Sequence, residues 1–297
     1  MIYLQSFHML SREEDQDFFD VGSRTFKTKN FRTCYSSRYP FVMFRERGLP
    51  DFGFEDITVF YGDNGSGKST ILNIIAGKLK LKRDTPYNRS DFFDDYTALC
   101  GFRLAGDLSP GSRIISSDDV FDKVLDIRRL NEGIGHKRAD LITEYITERK
   151  NTAPNNLNGL DDYDRWKEAS DARRKKSTQS QYLRSRLIGN VEERSNGESA
   201  LAFFVDAITD GALYLLDEPE NSLSPSNQIR LKYFLEDCVR NHGCQFVVST
   251  HSPFLLSLRR AKIYDIDSVP VCVRRWTELE GVRVYHDFFA EHKDEFK

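Results

Sequence analysis

Gly62-Asp63-Asn64-Gly65-Ser66-Gly67-Lys68-Ser69 is the stretch whose reading decides the fold. It satisfies the pattern G-x-x-x-x-G-K-[ST], and its flanks have the right character. Ile57–Tyr61 (ITVFY) before it is β-branched and aromatic, the composition of a strand. Thr70–Leu81 after it carries apolar Ile71, Leu72, Ile74 and Ile75 and reads as a helix. Its end is rich in lysine, which suits the partial negative charge of a helix C-terminus. Strand, glycine-rich loop and helix together make a phosphate cradle. Glycines let backbone N–H groups turn inward without Cβ clashes, and the helix N-terminus attracts an anion. The pattern assigns Gly62, Asp63, Asn64, Gly65, Ser66, Gly67, Lys68, Ser69 and Thr70 to nucleotide binding. Lys68 would reach the β- and γ-phosphates and Ser69 would place its hydroxyl on Mg²⁺.

A second stretch, Leu213–Glu218 (LYLLDE), is an apolar strand ending in two acids. Ligands bind at the carboxyl ends of strands in open α/β sheets, so Asp217 stands where it can hold Mg²⁺. Glu218 can accept a proton from an attacking water. Around this stretch the chain alternates between helix and strand. Ala200–Ile208 reads as a helix and Ala212–Leu216 as a buried strand. Ser224 and Pro225 are an N-cap and first-turn proline. Leu231, Phe234, Leu235, Cys238 and Val239 form an amphipathic stripe, Gly243 ends that helix, and Gln245–Ser249 (QFVVS) is the next strand. Such alternation predicts an α/β fold with a mainly parallel sheet.

The rest of the composition mostly excludes. The chain has 297 residues, 39% hydrophobic and 30% charged, with a formal net charge of −3. That describes a globular protein without the global basicity of a nucleic-acid coat. Five cysteines without a C-x-x-C pair suggest neither a zinc site nor a disulfide framework, and fit a reducing cytosol. Residues Met1 to Leu10 lack the marks of a signal peptide. No apolar run approaches the roughly 18 residues of a membrane helix, so no membrane insertion is expected. His8, His136, His242, His286 and His292 lack ligand spacing, so no metal other than Mg²⁺ is expected.

The first sixty residues read as short strands, Ile2–Met9, Arg32–Phe44 and Ile57–Tyr61, and predict an N-terminal antiparallel β subdomain. Residues 84–113 read as irregular. The middle of the chain is mostly helical, with apolar positions too broken for a long coiled coil.

Three further pieces bring the motifs to a resemblance. Ser195-Asn196-Gly197-Glu198 precedes the Ala200 helix, Asp217-Glu218-Pro219-Glu220-Asn221-Ser222-Leu223 follows the acidic strand, and Thr250-His251 follows QFVVS. With the phosphate loop, in this order, they resemble an ABC-type ATPase. Ser195, Gly197 and Glu198 resemble the signature motif, which acts in trans on the other subunit's nucleotide. His251 resembles the switch histidine, and the loop after Glu218 resembles the one that crosses the dimer interface. The resemblance implies a single ABC-type ATPase domain, residues 1–297, with a helical lid subdomain inserted at 114–194. It implies ATP and Mg²⁺ as cofactors, with Lys68, Glu218 and His251 catalytic, and a nucleotide-dependent homodimer with two shared ATP sites. DEPENSLSP and SNGES are closer to SMC/RecF-like and OLD-like ATPases, and to compact "AAA family ATPases" near phage-defence genes, than to transporter subunits. On that footing the function is slow or activator-dependent ATP hydrolysis in the cytoplasm. It would gate a partner, an effector protein or nucleic acid, in DNA maintenance or antiviral defence.

The chain departs from the pattern in two places, the first being an interval from Lys68 to Ser195 too short for the long coiled-coil arms of chromosome-organising members. No glutamine occurs between Thr70 and Thr178, so the usual glutamine-loop residue is missing. Asp118, or its neighbour Asp119, in SSDDVFD offers an oxygen ligand for the metal instead; the plain alternative is a helix N-cap at Ser117–Asp118. A basic stretch from Arg173 to Arg186 could contact phosphate backbones or be a solvated helix face. Two other functions stay open: the ATP-binding subunit of a membrane transporter, and a non-catalytic nucleotide switch controlling a separate effector.

Overall fold

The computed structural model describes residues 2–20, 38–126 and 196–296, with isolated helical positions between 129 and 143. The chain divides into two compact units, Met1–Asp122 with Ser195–Lys297, and Lys123–Arg194. Most of the second unit lies outside the described residues, and with it most of the expected lid and the basic stretch.

In the first unit, β1 (Leu4–His8), α1 (Arg12–Asp20), β2 (Phe52–Gly53) and β3 (Ile57–Tyr61) lead to the loop and α2 (Lys68–Leu79). Then come α3 (Phe93–Leu99), β4 (Gly101–Leu104), β5 (Arg113–Ser116) and a helix α4 over 117–126, whose residues from Lys123 on belong to the second unit. After the second unit follow α5 (Asn196–Ala207), β6 (Leu213–Asp217), a 3-10 turn Pro219–Ser222, α6 (Pro225–Asn241) and β7 (Gln245–Ser249). The chain closes with α7 (Pro253–Leu256), β8 (Lys262–Asp265), β9 (Cys272–Arg274) and α8 (Glu280–Glu291).

The main sheet has the order β5-β6-β7-β3-β8-β9. Every neighbouring pair is parallel except β8 with β9. Its strands are apolar on both faces because both are covered. Leu213 and Leu215 of β6 face one core with Ile71, Leu72 and Phe93, while Tyr214 and Leu216 face the other with Phe204, Leu231 and Leu235. The smaller sheet, β2-β1-β4, is antiparallel and lies over the first core. The expected α/β fold with a mainly parallel sheet is therefore present, but the antiparallel sheet is not built as expected: Ile57–Tyr61 is a central parallel strand of the main sheet, and β1 pairs instead with β2 and with β4 from beyond the loop. Gln245, fully buried at the start of β7, ties the two sheets together. Its Oε1 accepts from the N–H groups of Tyr3 and Leu4, and its Nε2 donates to the carbonyls of Leu4 and Glu55.

Two other expectations need correction. Arg32–Phe44 is no strand over its described part, because residues 39–47 are turns. Phe41 and Phe44 are both buried, and a spacing of three brings them inward together where a strand would turn one outward. Residues 84–113 are not irregular throughout, since they contain α3, β4 and the start of β5. Phe92, Phe93 and Tyr96 bury one face of α3, and the aspartates between them mask that periodicity.

Other elements follow their sequence. Ser224 caps α6 by accepting from the Asn227 N–H, with Pro225 in the first turn. Leu231, Leu235 and Cys238 are buried along α6. Helix α2 ends as Lys80 enters the left-handed region at φ 53° and donates its N–H to Ala76 and Gly77. Among the described residues no helix is long and apolar enough to cross a membrane.

Candidate functional site

The site lies where three adjacent parallel strands end. β7 sits between β6 and β3. Ser249 is in register with Asp217 on one side and Phe60 on the other. The loop after β3, the acids at the end of β6 and Thr250-His251 after β7 therefore converge on one edge, as the parallel topology dictates.

Glycine is required at two positions of the loop. Gly67 has φ 102°, and a Cβ there would stand 2.7 Å from the Phe44 ring. Gly65 has φ 84°, and a Cβ there would meet nothing within 4 Å, so the loop is open on that side. Ser66 is buried, and its hydroxyl has no partner. A buried hydroxyl without a partner is costly, and a phosphate oxygen is the kind of group that would satisfy it. Lys68, 2% exposed, donates to the carbonyls of Gly62 at 2.8 Å and Asp63 at 3.0 Å. Its ammonium lies 3.6 Å from Glu218. The Asp63 N–H donates to Asp267 at 2.7 Å, which anchors the loop to the chain beyond β8. Thr70 is buried in α2, where its hydroxyl accepts from Tyr39 at 3.2 Å.

Ser69 and Asp217, 148 residues apart, are joined by a hydrogen bond of 2.9 Å from Oγ to Oδ1. The same carboxylate oxygen accepts from Ser249 at 2.5 Å. Burial is the largest influence on Asp217 and pushes its pKa up, against the lowering effect of the two serine hydrogen bonds. A buried carboxylate beside a hydroxyl is the donor set a hard divalent cation takes, through oxygen and with waters completing its shell. These residues fit Mg²⁺, and the loop fits a triphosphate.

Glu218 has a left-handed backbone, φ 47°. Non-glycine residues adopt that conformation rarely and at a cost. Its N–H donates to both the carbonyl and the hydroxyl of Ser249, each at 3.1 Å. One carboxylate oxygen accepts from Asn221 at 3.0 Å, and the other faces Lys68.

On the far side of Asp217 lies the segment expected to replace the glutamine loop. Asp118 is exposed, whereas Asp119 is 7% exposed. Asp119 accepts from the Ser116 N–H at 2.6 Å and its hydroxyl at 2.9 Å, and the Asp119 N–H faces that hydroxyl at 3.4 Å. This is a capping box one residue before the Ser117–Asp118 cap read from sequence. The other oxygen of Asp119 is buried without a partner. Ser116 is in register with Asp217, so both acids belong to the same edge. Arg83 feels both: burial lowers its pKa, while Asp119 and Asp217 act in the opposite direction. Its guanidinium donates to Asn73 at 2.7 Å and lies over the Tyr87 ring.

His251 is 44% exposed at its side chain, with Nδ1 3.3 Å from Glu220. Ser195 lies outside the described residues. Gly197 and Glu198 are in the first turn of α5 by backbone, and the Glu198 side chain lies outside the description. Sequence reasoning gives no role to Ser249, Arg83 or Asp267, and places Glu220 only in the loop that resembles a dimer-crossing one. For Ser249 the available signal is a polar residue ending an otherwise apolar buried strand; Arg83 and Asp267 carry none.

The family described as "AAA domain, putative AbiEii toxin, Type IV TA system" matches residues 107–257, about half of the chain. No curated protein matches. Among solved structures, an Smc head domain with an extended coiled coil from Pyrococcus furiosus, bound to the C-terminal domain of ScpA, is 14% identical with a TM-score of 0.42; the match covers 97% of this chain and 100% of that one. An SMC head domain from Thermotoga maritima is 16% identical with a TM-score of 0.35, covering 76% and 92%. A dimeric bacterial ABC transporter cassette is 17% identical with a TM-score of 0.35, covering 76% and 88%.

Proposed function

The chain belongs to this AAA-domain family, and from that premise we propose that it binds Mg²⁺-ATP on the loop Gly62–Ser69 and hydrolyses it to ADP and phosphate. The observation that carries the reading is the convergence of Lys68, Ser69, Asp217 and Glu218, from two segments far apart in sequence, on one sheet edge. Lys68 neutralises charge on the β- and γ-phosphates, and the Ser66 hydroxyl and loop N–H groups hold their oxygens. Ser69 and Asp217 hold the metal, which when bound offsets charge that develops on the phosphates. Of the acids at the missing glutamine's place, Asp119 rather than Asp118 supplies the extra oxygen, because only Asp119 is buried with an oxygen to spare.

Glu218 orients the attacking water and takes its proton as the bond to the γ-phosphorus forms and the bond to the β-phosphate oxygen breaks. Its backbone conformation and the Asn221 hydrogen bond aim the carboxylate toward Lys68. His251 presents its exposed edge to the γ-phosphate.

Two copies would close head to tail on two ATP molecules, with Ser195, Gly197 and Glu198 of each reaching the other's γ-phosphate. Closure would gate an effector protein or nucleic acid in the cytoplasm, with the segment 114–194 as a helical lid. A role in defence against phage is the corresponding biological setting. The test is ATP hydrolysis by wild type and Lys68→Ala, with and without DNA or RNA, alongside light scattering. Hydrolysis that Lys68→Ala abolishes, together with an ATP-dependent dimer, supports the proposal. Equal activity in the two proteins refutes the site, and a monomer at saturating Mg²⁺-ATP refutes the shared pocket.

A further inference from the structure

Glu220 stands on the 3-10 turn Pro219–Ser222 and is 5% exposed. Its Oε1 accepts from the Thr250 hydroxyl at 2.6 Å and from the His251 N–H at 2.9 Å. The Nδ1 of the His251 ring lies 3.3 Å from that same oxygen, an ion-pair distance rather than an aligned hydrogen bond, while Oε2 is buried without a partner. Among the described residues no lysine or arginine pairs with this carboxylate. Burial raises its pKa, and the Thr250 and His251 contacts oppose that rise.

A buried carboxylate is costly to keep unless its contacts do something that a neutral group would not. Here every contact of the carboxylate with another residue falls on one two-residue step, Thr250-His251, immediately after β7. We propose that Glu220 is a positioning residue for ATP hydrolysis that acts through His251. It fixes the backbone of the step and holds the Nδ1 edge of the imidazole, so that Nε2 is the nitrogen turned to the γ-phosphate. In metal-bound and catalytic histidines an acceptor beside the ring nitrogen that does no chemistry sets the orientation of the ring.

The arrangement also ties two loops together. Glu218 and Glu220 share the turn after β6, and Asn221 bonds back to Glu218 by both its N–H and its side chain. A shift of that turn therefore moves the base and the histidine as one group. This deepens the ATPase reading above and rests on it.

The experiment compares wild type with Glu220→Met, which fills the same volume without an acceptor, and with Glu220→Gln, which keeps one. It adds His251→Ala and the double variant Glu220→Met/His251→Ala. Glu220→Met is expected to lower kcat about tenfold or more with KM within about threefold, and Glu220→Gln to recover most of the loss. The double variant should be no slower than His251→Ala alone, because residues acting as a unit are not additive. The nucleotide-free protein gives a second readout, the ¹⁵N shifts of the His251 ring. They should report a proton on Nδ1 in wild type and Glu220→Gln, and its transfer toward Nε2 in Glu220→Met. Multiplicative losses in the double variant, or identical ring spectra in all three proteins, overturn the assignment. If wild type hydrolyses no ATP, the ATPase reading fails alone, and the ring spectra still decide for or against Glu220.

Discussion

A methyl group added at Gly67 should cost more than one added at Gly65, although both residues lie in the left-handed half of backbone space, at φ 102° and φ 84°. Each substitution by alanine costs about 1–2 kcal/mol for that conformation. At Gly65 nothing more is added, since its Cβ meets no atom within 4 Å. At Gly67 the Cβ would fall 2.7 Å from the Phe44 ring and 3.0 Å from the Met43 methyl. Phe44 is 4% exposed and has no room to retreat. Overpacking of this kind adds about 1–3 kcal/mol, so Gly67→Ala should lose roughly 2–5 kcal/mol in all. Urea unfolding at an unchanged m value measures both variants. Nucleotide affinity should show the reverse order, because the open side of Gly65 is where phosphate oxygens would lie. The decisive protein is the double variant Gly67→Ala/Phe44→Leu. Shortening the ring relieves the contact, so this variant should be more stable than the sum of the singles by about 1 kcal/mol. Equal costs for the two alanines, or strict additivity with Phe44→Leu, would refute the steric argument.

Other outcomes follow from the same geometry. Glu218→Gln should keep ATP affinity within a few-fold, lose about 10²–10⁴ in kcat, and accumulate an ATP-bound dimer visible by light scattering; hydrolysis at the wild-type rate would exclude Glu218 as base. Ser249→Ala removes the 2.5 Å hydrogen bond to Asp217 and should cost about 1.5–3 kcal/mol of stability, the range for a hydrogen bond to a charged group; calorimetry with no change in melting would rule that out. Burial lifts the Cys100 thiol from its ordinary value near 9 to about 12. Between those values the unfolded chain has lost the proton and the folded one keeps it, so this contribution is intact below pH 9 and declines as pH rises, by about 1.4 kcal/mol per unit. Stability curves of Cys100→Ala should be shallower over that window, and parallel curves would contradict the assignment.

The phosphate loop, the two acids at the end of β6 and the α6 stripe can be read directly, because each combines a fixed local pattern with a strong element preference. Ser69 and Asp217, both marked by such patterns, meet in the structure. What escapes such reading depends on contacts between distant segments. Arg83 follows a helix and looks like a surface residue, and only the fold carries it next to acids at the ends of two other strands. The SSDD run shows two aspartates with no local reason to prefer one. Helical geometry after Ser116 turns Asp119 inward and leaves Asp118 in solvent. The Phe41 and Phe44 stretch mimics a strand because aromatic residues favour strands, while burial at a spacing of three belongs to turns. In α3, acidic residues dilute the apolar signal that Phe92, Phe93 and Tyr96 carry.

Gln245 has a practical corollary for anyone trimming this chain. Its amide is shielded from water, and three of its four bonds end on Tyr3 and Leu4. Deleting the first four residues would strand that amide at the base of the strand whose other end leads to His251. Shortened versions should therefore start no later than Ile2, and fusions belong ahead of Met1.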